Sequence, residues 1–318
     1  MKKRKLGNTG IEVAEVAFGT VALGLPYGIG VEDESQLLPE EVAIRLLRDA
    51  LDRGINFFDT AREYGKSEAL LGHAFRERRE EVVIATKCAH LRLKDGTLPG
   101  ESALTAAIEQ SLMGSLEALQ TGYVDVLMLH DSDTEIIRHA GIKKLFEQYK
   151  KEGMIRATGV STYTPQETAA VINSGGWDVV QVPFNLMDQR QSVLFERLEQ
   201  QGMGIVIRSV LLKGLLSNRR PQLHPALKAV EEHIDSYGSL TRAAGLSLAQ
   251  LATKFVLSFP QISSVLVGID RTEYLREALD AVAGNALKPE LVERAQRAAF
   301  KDPAFLNLHH WSVQGWLK

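Results

Sequence analysis

Four side chains of complementary chemistry lie at or just after apolar runs of strand length. Asp59 and Tyr64 fall in the stretch NFFDTAREYGKSEALLG, residues 56 to 72, while Lys87 and His130 end two later runs. Taken alone, Asp59, Lys87 and His130 each have an ordinary structural role, as a turn cap, a solvated lysine and a core histidine respectively. Their occurrence at the ends of three successive runs favours chemistry instead. Together they predict an enzyme acting on a small-molecule carbonyl or alcohol.

The charges of these four side chains predict the role of each one. An ammonium favours the ionised form of a nearby phenol, so we expect Lys87 to lower the pKa of Tyr64 from its ordinary value near 10. Asp59 should keep Lys87 charged and oriented. His130 should donate a hydrogen bond to the substrate oxygen while Tyr64 transfers the proton. A hydride must come from a cofactor, because no side chain supplies one.

The elements that position these residues can be predicted from alternation. Helical spacing separates apolar runs of strand length at residues 16–20, 55–58, 82–86, 124–129, 155–160, 179–182, 205–207 and 263–267. Strand and helix patterns that alternate in this way predict parallel strands joined by right-handed crossovers. Eight such units indicate an α/β fold, a (β/α)8 TIM barrel formed by one domain, residues 1–318. A hairpin around Asn8-Thr9-Gly10 should precede it, and no GxGxxG motif occurs.

Three segments after strands exceed the usual connection length: 22–38, 88–100 and 211–245. They should overhang the C-terminal mouth of the barrel, where active sites of this fold lie. The segment 135–152 is expected to form one helix. The tail, residues 303–318, is unusually aromatic for a chain end.

Composition limits the classes of partner. The 37 Lys and Arg residues nearly balance the 40 Asp and Glu residues, which argues against nucleic acid and anionic membranes as partners. One cysteine and the absence of CxxC, HxxxH and HExxH spacings suggest neither a disulfide nor a metal site. Gly65-Lys66-Ser67 lacks the first glycine of a P-loop. We expect a cytoplasmic location; oligomeric state has no sequence signal.

The sequence resembles the aldo-keto reductases. The motifs that carry the likeness are DTAREYGKSE, IATK and LMLH, with Asp59, Tyr64, Lys87 and His130 in the family's order, together with FGT, VSTY, QVPFN and VLVG. The resemblance covers nearly the whole chain. It implies a (β/α)8 barrel that binds NADPH, or less often NADH, without a Rossmann domain, and a catalytic tetrad formed by those four residues.

The resemblance also implies cofactor contacts at the strand ends. Ser161 and Gln181 would hold the nicotinamide carboxamide together with Thr162, which replaces the usual Asn. Gly19 and Thr20 would lie near the cofactor at the first strand end. Arg208, followed by Ser209, stands where an aromatic side chain usually stacks on the nicotinamide ring.

The segment after the eighth strand bears on cofactor preference. Gly268 precedes Asp270 and Arg271, and Glu277 lies where the family contacts adenine. Arg271 could pair with the 2′-phosphate of NADPH. Asp270 would repel that phosphate or accept a hydrogen bond from the 2′-hydroxyl of NAD. NADPH is therefore the expected cofactor and NAD the alternative.

The substrate itself is not predicted, although Tyr27, His130 and Trp311 are expected to contact it. His90 and Arg92 are further candidates for the pocket. Two other functions stay open at this stage. One is an aldolase that uses Lys87 as a Schiff base. The other is a cofactor-binding regulatory or partner-binding subunit on the same barrel.

Overall fold

A closed barrel of eight parallel strands forms the centre of the computed structural model, which describes residues 1–29, 31, 33–130, 132–217 and 223–317. Neighbouring strands pair in chain order, and the last strand pairs with the first. Each predicted apolar run overlaps one strand, so the predicted barrel is confirmed. The barrel strands are β3 (Val16–Gly19), β4 (Phe57–Asp59), β5 (Val83–Lys87), β6 (Val124–Leu129), β7 (Ile155–Ser161), β8 (Val179–Pro183), β9 (Gly204–Arg208) and β10 (Ser264–Gly268).

The predicted hairpin precedes the barrel. It consists of β1 (Lys3–Lys5) and β2 (Glu12–Ala14), which pair antiparallel with Lys3 opposite Ala14. Leu6, Ile11 and Val13 are buried and belong to the same apolar cluster as the inward-facing strand residues. The hairpin therefore closes the end of the barrel opposite the mouth.

Side chains alternate between two cores along each strand, as the two-residue period of a strand requires. Ala17, Val126 and Val206 are among those that fill the barrel interior. Their neighbours, such as Phe18 and Leu127, belong to the larger core of strands and surrounding helices. The interior is thus packed, and only the residues at the strand ends are free to face a ligand.

Helices connect the strands on the outside. They are α1 (Val21–Gly24), α2 (Glu40–Asp52), α3 (Ser67–Phe75), α4 (Glu101–Ala118), α5 (Thr134–Arg138), α6 (Ala140–Lys151), α7 (Pro165–Ser174), α8 (Phe195–Gln200), α9 (Lys228–Ser236), α10 (Gly238–Ala244), α11 (Leu248–Leu257), α12 (Thr272–Val282), α13 (Pro289–Arg297) and α14 (Leu308–Val313). Short 3₁₀ turns lie at Glu34–Gln36, Arg79–Glu81, Arg190–Leu194, Leu212–Gly214, Pro225–Leu227 and Pro303–Phe305.

Two predicted segments differ from the structure. The single helix expected over 135–152 is two helices, because His139 adopts an extended backbone and its ring accepts a hydrogen bond from the Ile142 amide, which begins α6. The long segment 211–245 contains α9 and α10; its residues 218–222, like residues 30 and 32 of the first long segment, lie outside the described residues. Within the described ranges, no helix has the length and apolar character needed to cross a membrane.

Candidate active site

The four residues predicted to transfer and orient a proton meet at the C-terminal mouth of the barrel. Asp59 ends β4, Lys87 ends β5 and His130 directly follows β6, while Tyr64 lies in the turn between β4 and α3. All four line one cavity of about 440 Å³. The spatial convergence expected from the strand ends is therefore present in the structure.

Lys87 and Asp59 form a buried ion pair at the base of this cavity. The Lys87 ammonium donates to Asp59 Oδ1 at 2.6 Å and to the Thr60 carbonyl at 2.9 Å. Both side chains are at most 5% exposed. The same ammonium lies 4.9 Å from the centroid of the Tyr64 ring. Asp59 thus holds a cation beneath the phenol.

Two glycines allow the Tyr64 turn to pack against the helix that follows β3. Gly65 has φ of +55°, and a Cβ there would lie 2.2 Å from the Gly24 carbonyl oxygen. A Cβ on Gly24 would in turn lie 1.9 Å from the Tyr64 carbonyl oxygen. The Ser67 hydroxyl donates to the Thr20 carbonyl at 2.8 Å across the same contact. Close backbone approach therefore fixes the position of Tyr64.

Burial corrects one expectation about Tyr64. Its pKa is raised above the usual value of 10, because loss of solvent around the phenol outweighs the lowering by the Lys87 charge. The pKa of Lys87 is also raised: burial opposes its charge, but Asp59 and Tyr64 more than compensate. The phenol is consequently protonated and the lysine charged at neutral pH.

His130 completes the centre as a neutral imidazole. Its ring lies edge-on to Tyr64, with ring centroids 5.5 Å apart. Burial, together with the charges of Lys87 and Arg208 and the nearby His90, lowers its pKa to about 3. A neutral ring has one N–H group that can donate to a carbonyl oxygen beside Tyr64.

The next strand ends provide polar groups around this centre. Gly19, Thr20, Ser161 and Gln181 all line the cavity, as expected. The Gln181 amide nitrogen donates to Asp59 Oδ2 at 2.8 Å. Gln181 therefore contacts the ion pair directly while it faces the cavity, a contact that had no signal in the sequence.

The far side of the cavity carries the basic residues. The residues of this side that were predicted to bind the cofactor all line the cavity: Arg208, Ser209, Gly268, Asp270, Arg271 and Glu277. The Arg208 guanidinium donates to the Thr162 carbonyl at 2.9 Å and stacks 4.2 Å above the Tyr163 ring centroid. Arg271 lies 3.4 Å from Asp270 and 4.9 Å from the Tyr274 ring centroid.

The loop after β9 is held in an unusual backbone conformation. Ser209, Leu212 and Lys213 all have φ between +46° and +60°, a region that non-glycine residues seldom adopt. All three line the cavity. Such strain is concentrated at ligand-binding sites in proteins.

Two expected site residues lie elsewhere. Thr162 turns its hydroxyl towards that of Thr168, 2.7 Å away, and does not line the cavity. Trp311 is fully buried against Phe305, so it is a core residue of the tail rather than a wall of the pocket. Both positions correct the sequence interpretation.

His90 and Arg92, the further candidates for the pocket, also lie outside the cavity lining. Arg92 pairs with Asp133 and Glu135, and the His90 ring packs against that of His130. Tyr27 does line the cavity and contacts Lys213, whose ammonium is 5.0 Å from its ring centroid. Tyr163, Lys213 and Tyr274 were missed. Tyr163 had a signal, because it directly follows β7 within the VSTY motif.

Comparisons with known proteins agree with this geometry. The family model described as "Aldo/keto reductase family" matches residues 15–299. The uncharacterized oxidoreductase YqkF of Bacillus subtilis (strain 168) is 28% identical over 314 residues, covering 95% of this chain and 98% of that protein. The L-galactose dehydrogenase of Arabidopsis thaliana is 30% identical over 292 residues, covering 88% and 87%.

A solved structure shares the architecture as well. The holo form of the aldo-keto reductase AKR11C1 from Bacillus halodurans superposes with a TM-score of 0.78 at 27% identity and covers 94% of this chain and 96% of its own. The family match spans nearly the whole barrel and includes the buried centre at its mouth. The chain therefore belongs to the aldo/keto reductase family and is an NAD(P)H-dependent oxidoreductase.

Proposed function

We propose that the protein catalyses reversible hydride transfer between NADPH and the carbonyl of an aldehyde, a ketone or an open-form sugar, with Tyr64 as the general acid and base. One observation carries this proposal. The Lys87 ammonium, held 2.6 Å from Asp59, lies beneath the Tyr64 ring at the point where His130 also faces the cavity. That set of groups can polarise a carbonyl and transfer one proton.

The residues around the cavity fit an anionic dinucleotide. Arg208, Lys213 and Arg271 supply three basic groups along its far side. Among the described residues, the Arg208 Nε is covered yet has no hydrogen-bond partner, so the guanidinium still has a donor to offer. When bound, NADPH supplies the hydride. Arg271 favours NADPH by its charge, and Asp270 favours NAD as the alternative.

The chain's own part in the reaction is proton transfer and orientation. Tyr64 stays protonated at neutral pH because of its burial, so it can give a proton to the substrate oxygen. Lys87 stabilises the phenolate that this step leaves, and Asp59 keeps Lys87 in place. His130 donates a hydrogen bond to the same oxygen and orients the carbonyl. In the reverse direction the phenolate accepts the proton of the alcohol.

Support for a polyol or sugar substrate comes from a relative. The Arabidopsis protein is named for oxidation of L-galactose and matches most of this chain. Tyr27 and Tyr163 offer aromatic faces at the mouth, which suit the C–H face of a sugar ring. We retain the cytoplasmic location and the single domain as predictions.

The aldolase alternative is weaker on electrostatic grounds. A Schiff base requires a neutral amine, whereas Asp59 and Tyr64 raise the pKa of Lys87. Borohydride treatment with a carbonyl substrate should leave Lys87 unmodified, as judged by mass spectrometry of its peptide. A reduced adduct on that lysine would favour the aldolase.

The direct test is Tyr64→Phe. It removes the proton donor and keeps the ring, so NADPH oxidation at about 340 nm with a panel of aldehydes and sugars should be abolished. NADPH binding, measured by quenching of protein fluorescence, should persist. Retained turnover would overturn the proposal. If the unaltered protein oxidises NADPH with none of a broad panel of aldehydes and sugars, the regulatory or partner-binding alternative is favoured.

A further inference from the structure

Three side chains of types that bind transition metals come together at one edge of the mouth, and His130 is one of them. Glu63 follows β4, His90 follows β5 and His130 follows β6. Each offers one ligand atom, and these atoms all lie within 4.8 Å of one another. The loops after three neighbouring strands therefore bring together a carboxylate and two imidazoles.

Two of the three distances in this group are close to those of a tetrahedral zinc centre. Glu63 Oε2 lies 3.1 Å from His90 Nδ1 and 3.7 Å from His130 Nδ1. Bonds of about 2.0–2.1 Å to zinc place neighbouring tetrahedral ligands about 3.3 Å apart. The two distances from Glu63 therefore lie within about half an ångström of this spacing, and the two imidazole nitrogens lie within 4.8 Å of each other.

The group is also oriented for binding. The His90 backbone N–H donates to Glu63 Oε1 at 3.1 Å, which leaves Oε2 directed at the two rings. The rings of His90 and His130 are neighbours in a tilted arrangement, with centroids 5.0 Å apart and planes inclined by 35°. Outer hydrogen bonds of this kind fix ligand orientation in metal sites.

A second observation points to a ligand. His130 Nδ1 is covered, yet no described residue makes a hydrogen bond with it. Buried polar atoms in proteins usually have a partner. Glu63 and His90 are substantially exposed, so an ion can enter from solvent. Lys87, the buried cation at the base of the cavity, is itself paired with Asp59.

We propose that Glu63, His90 and His130 form a binding site for a transition-metal dication of the zinc class. The three protein ligands leave a fourth tetrahedral position for water. An ion bound to His130 Nδ1 leaves the proton of that ring on Nε2, the nitrogen available to the cavity. The sequence spacing predicted no metal site because its ligands lie on three separate loops rather than in one motif.

The test is a calorimetric titration of the metal-free protein with Zn²⁺ at neutral pH, so it does not depend on the proposed reductase activity. Co²⁺ serves as a second probe because its visible absorption reports tetrahedral coordination. Mg²⁺ should not compete, because it prefers all-oxygen octahedral sites. We expect one zinc per chain at the tightest site. Glu63→Gln and His90→Gln should each weaken that site by about tenfold to a hundredfold or more.

His73→Gln is the matched control. His73 and Glu40 form another exposed pair, with 2.9 Å between His73 Nδ1 and Glu40 Oε1, but they belong to no three-ligand group among the described residues. Unchanged affinity in this variant, with losses in the other two, supports the proposal. Affinity that is unaffected by Glu63→Gln and by His90→Gln would overturn it, as would the absence of zinc binding in the unaltered protein. Circular dichroism checks that the exposed substitutions leave the fold intact.

Discussion

The two sides of the cavity differ in how their charges are satisfied. On the side of β4 and β5, the Lys87 ammonium and the Asp59 carboxylate are buried and bonded to each other and to fixed backbone. On the side of β9 and β10, Arg208 stacks on Tyr163, and Arg271 lies against Asp270 and Tyr274. The first pair is buried and joined by direct hydrogen bonds, whereas the second group is held mainly by ring stacking and one longer ion pair.

This difference indicates where binding must reorganise the protein. The side of β4 and β5 should need no rearrangement, because its ion pair and its close glycine contacts already fix Tyr64. The basic side must exchange internal contacts for contacts with the cofactor, and its exposed pairs are weak enough for that. Substitutions on the first side should therefore affect rate and stability, whereas those on the second should affect cofactor choice.

The largest effect is expected for Lys87→Met. Removing the cation leaves Asp59 buried without its partner, which should cost about 3–5 kcal/mol in the free energy of unfolding. Turnover should fall about 10²- to 10⁴-fold. Denaturant unfolding and NADPH oxidation measure the two losses. The double variant Lys87→Met with Asp59→Asn should recover much of the lost stability and none of the activity. If the single and the double variant lose the same stability, the unpaired Asp59 charge is not the cause of the loss, and the comparison of the two sides fails.

The next effect is expected for Gly65→Ala. The added Cβ meets the Gly24 carbonyl oxygen and must be accommodated at positive φ, so Tyr64 should shift. We expect a loss of about 1–3 kcal/mol in stability together with a lower kcat. Gly96→Ala is the matched control, since Gly96 also has positive φ, +83°, but its Cβ would meet nothing within 4 Å. Equal effects of the two substitutions would contradict a rigid contact at Tyr64.

On the basic side, Asp270→Ser should change the preference for NADPH over NADH rather than the turnover number, kcat. It removes the carboxylate 3.4 Å from Arg271 and frees the guanidinium for a 2′-phosphate. Because Arg271 is about half exposed, the ratio of kcat/KM for NADPH over NADH should rise only about three- to tenfold. Glu273→Gln removes an equal charge nearby and should change the ratio less. A fall in kcat with no change in the NADPH-to-NADH ratio would contradict the assignment of cofactor choice to this side of the cavity.

The smallest expected effect is the response of the reduction to pH. Tyr64 must carry its proton in order to donate it, and a raised pKa extends the protonated range upward. The kcat/KM for carbonyl reduction should therefore stay constant from about pH 6 to about pH 9 and fall only above about pH 10. A decline that begins near pH 7 would mean that Lys87 outweighs burial, as the sequence alone had suggested.

Sequence reasoning succeeded where local pattern determines position. Apolar runs of strand length, alternating with helical spacing, predicted the eight strands, and the ends of parallel strands lie at the mouth, which brought Asp59, Lys87 and His130 together. Sequence reasoning failed where packing between separate elements determines the position or the pKa of a side chain. Thr162 turns towards Thr168 of α7, Trp311 is buried in the folded tail, and burial raises the pKa of Tyr64. Each of these outcomes depends on how separate elements pack in the folded chain, so no local sequence pattern predicts it.

The hydrogen bond from Gln181 to Asp59 has a consequence for cofactor chemistry. An ionised carboxylate only accepts hydrogen bonds, so the amide nitrogen of Gln181 must face Asp59 and its carbonyl oxygen is left for the cavity. In the proposed binding mode that oxygen can accept a hydrogen from the carboxamide of nicotinamide. A dinucleotide whose ring bears a carboxylate has no hydrogen to offer there and meets an oxygen instead. We therefore expect the ion pair, through Gln181, to make the protein discriminate against the nicotinic acid form of the cofactor.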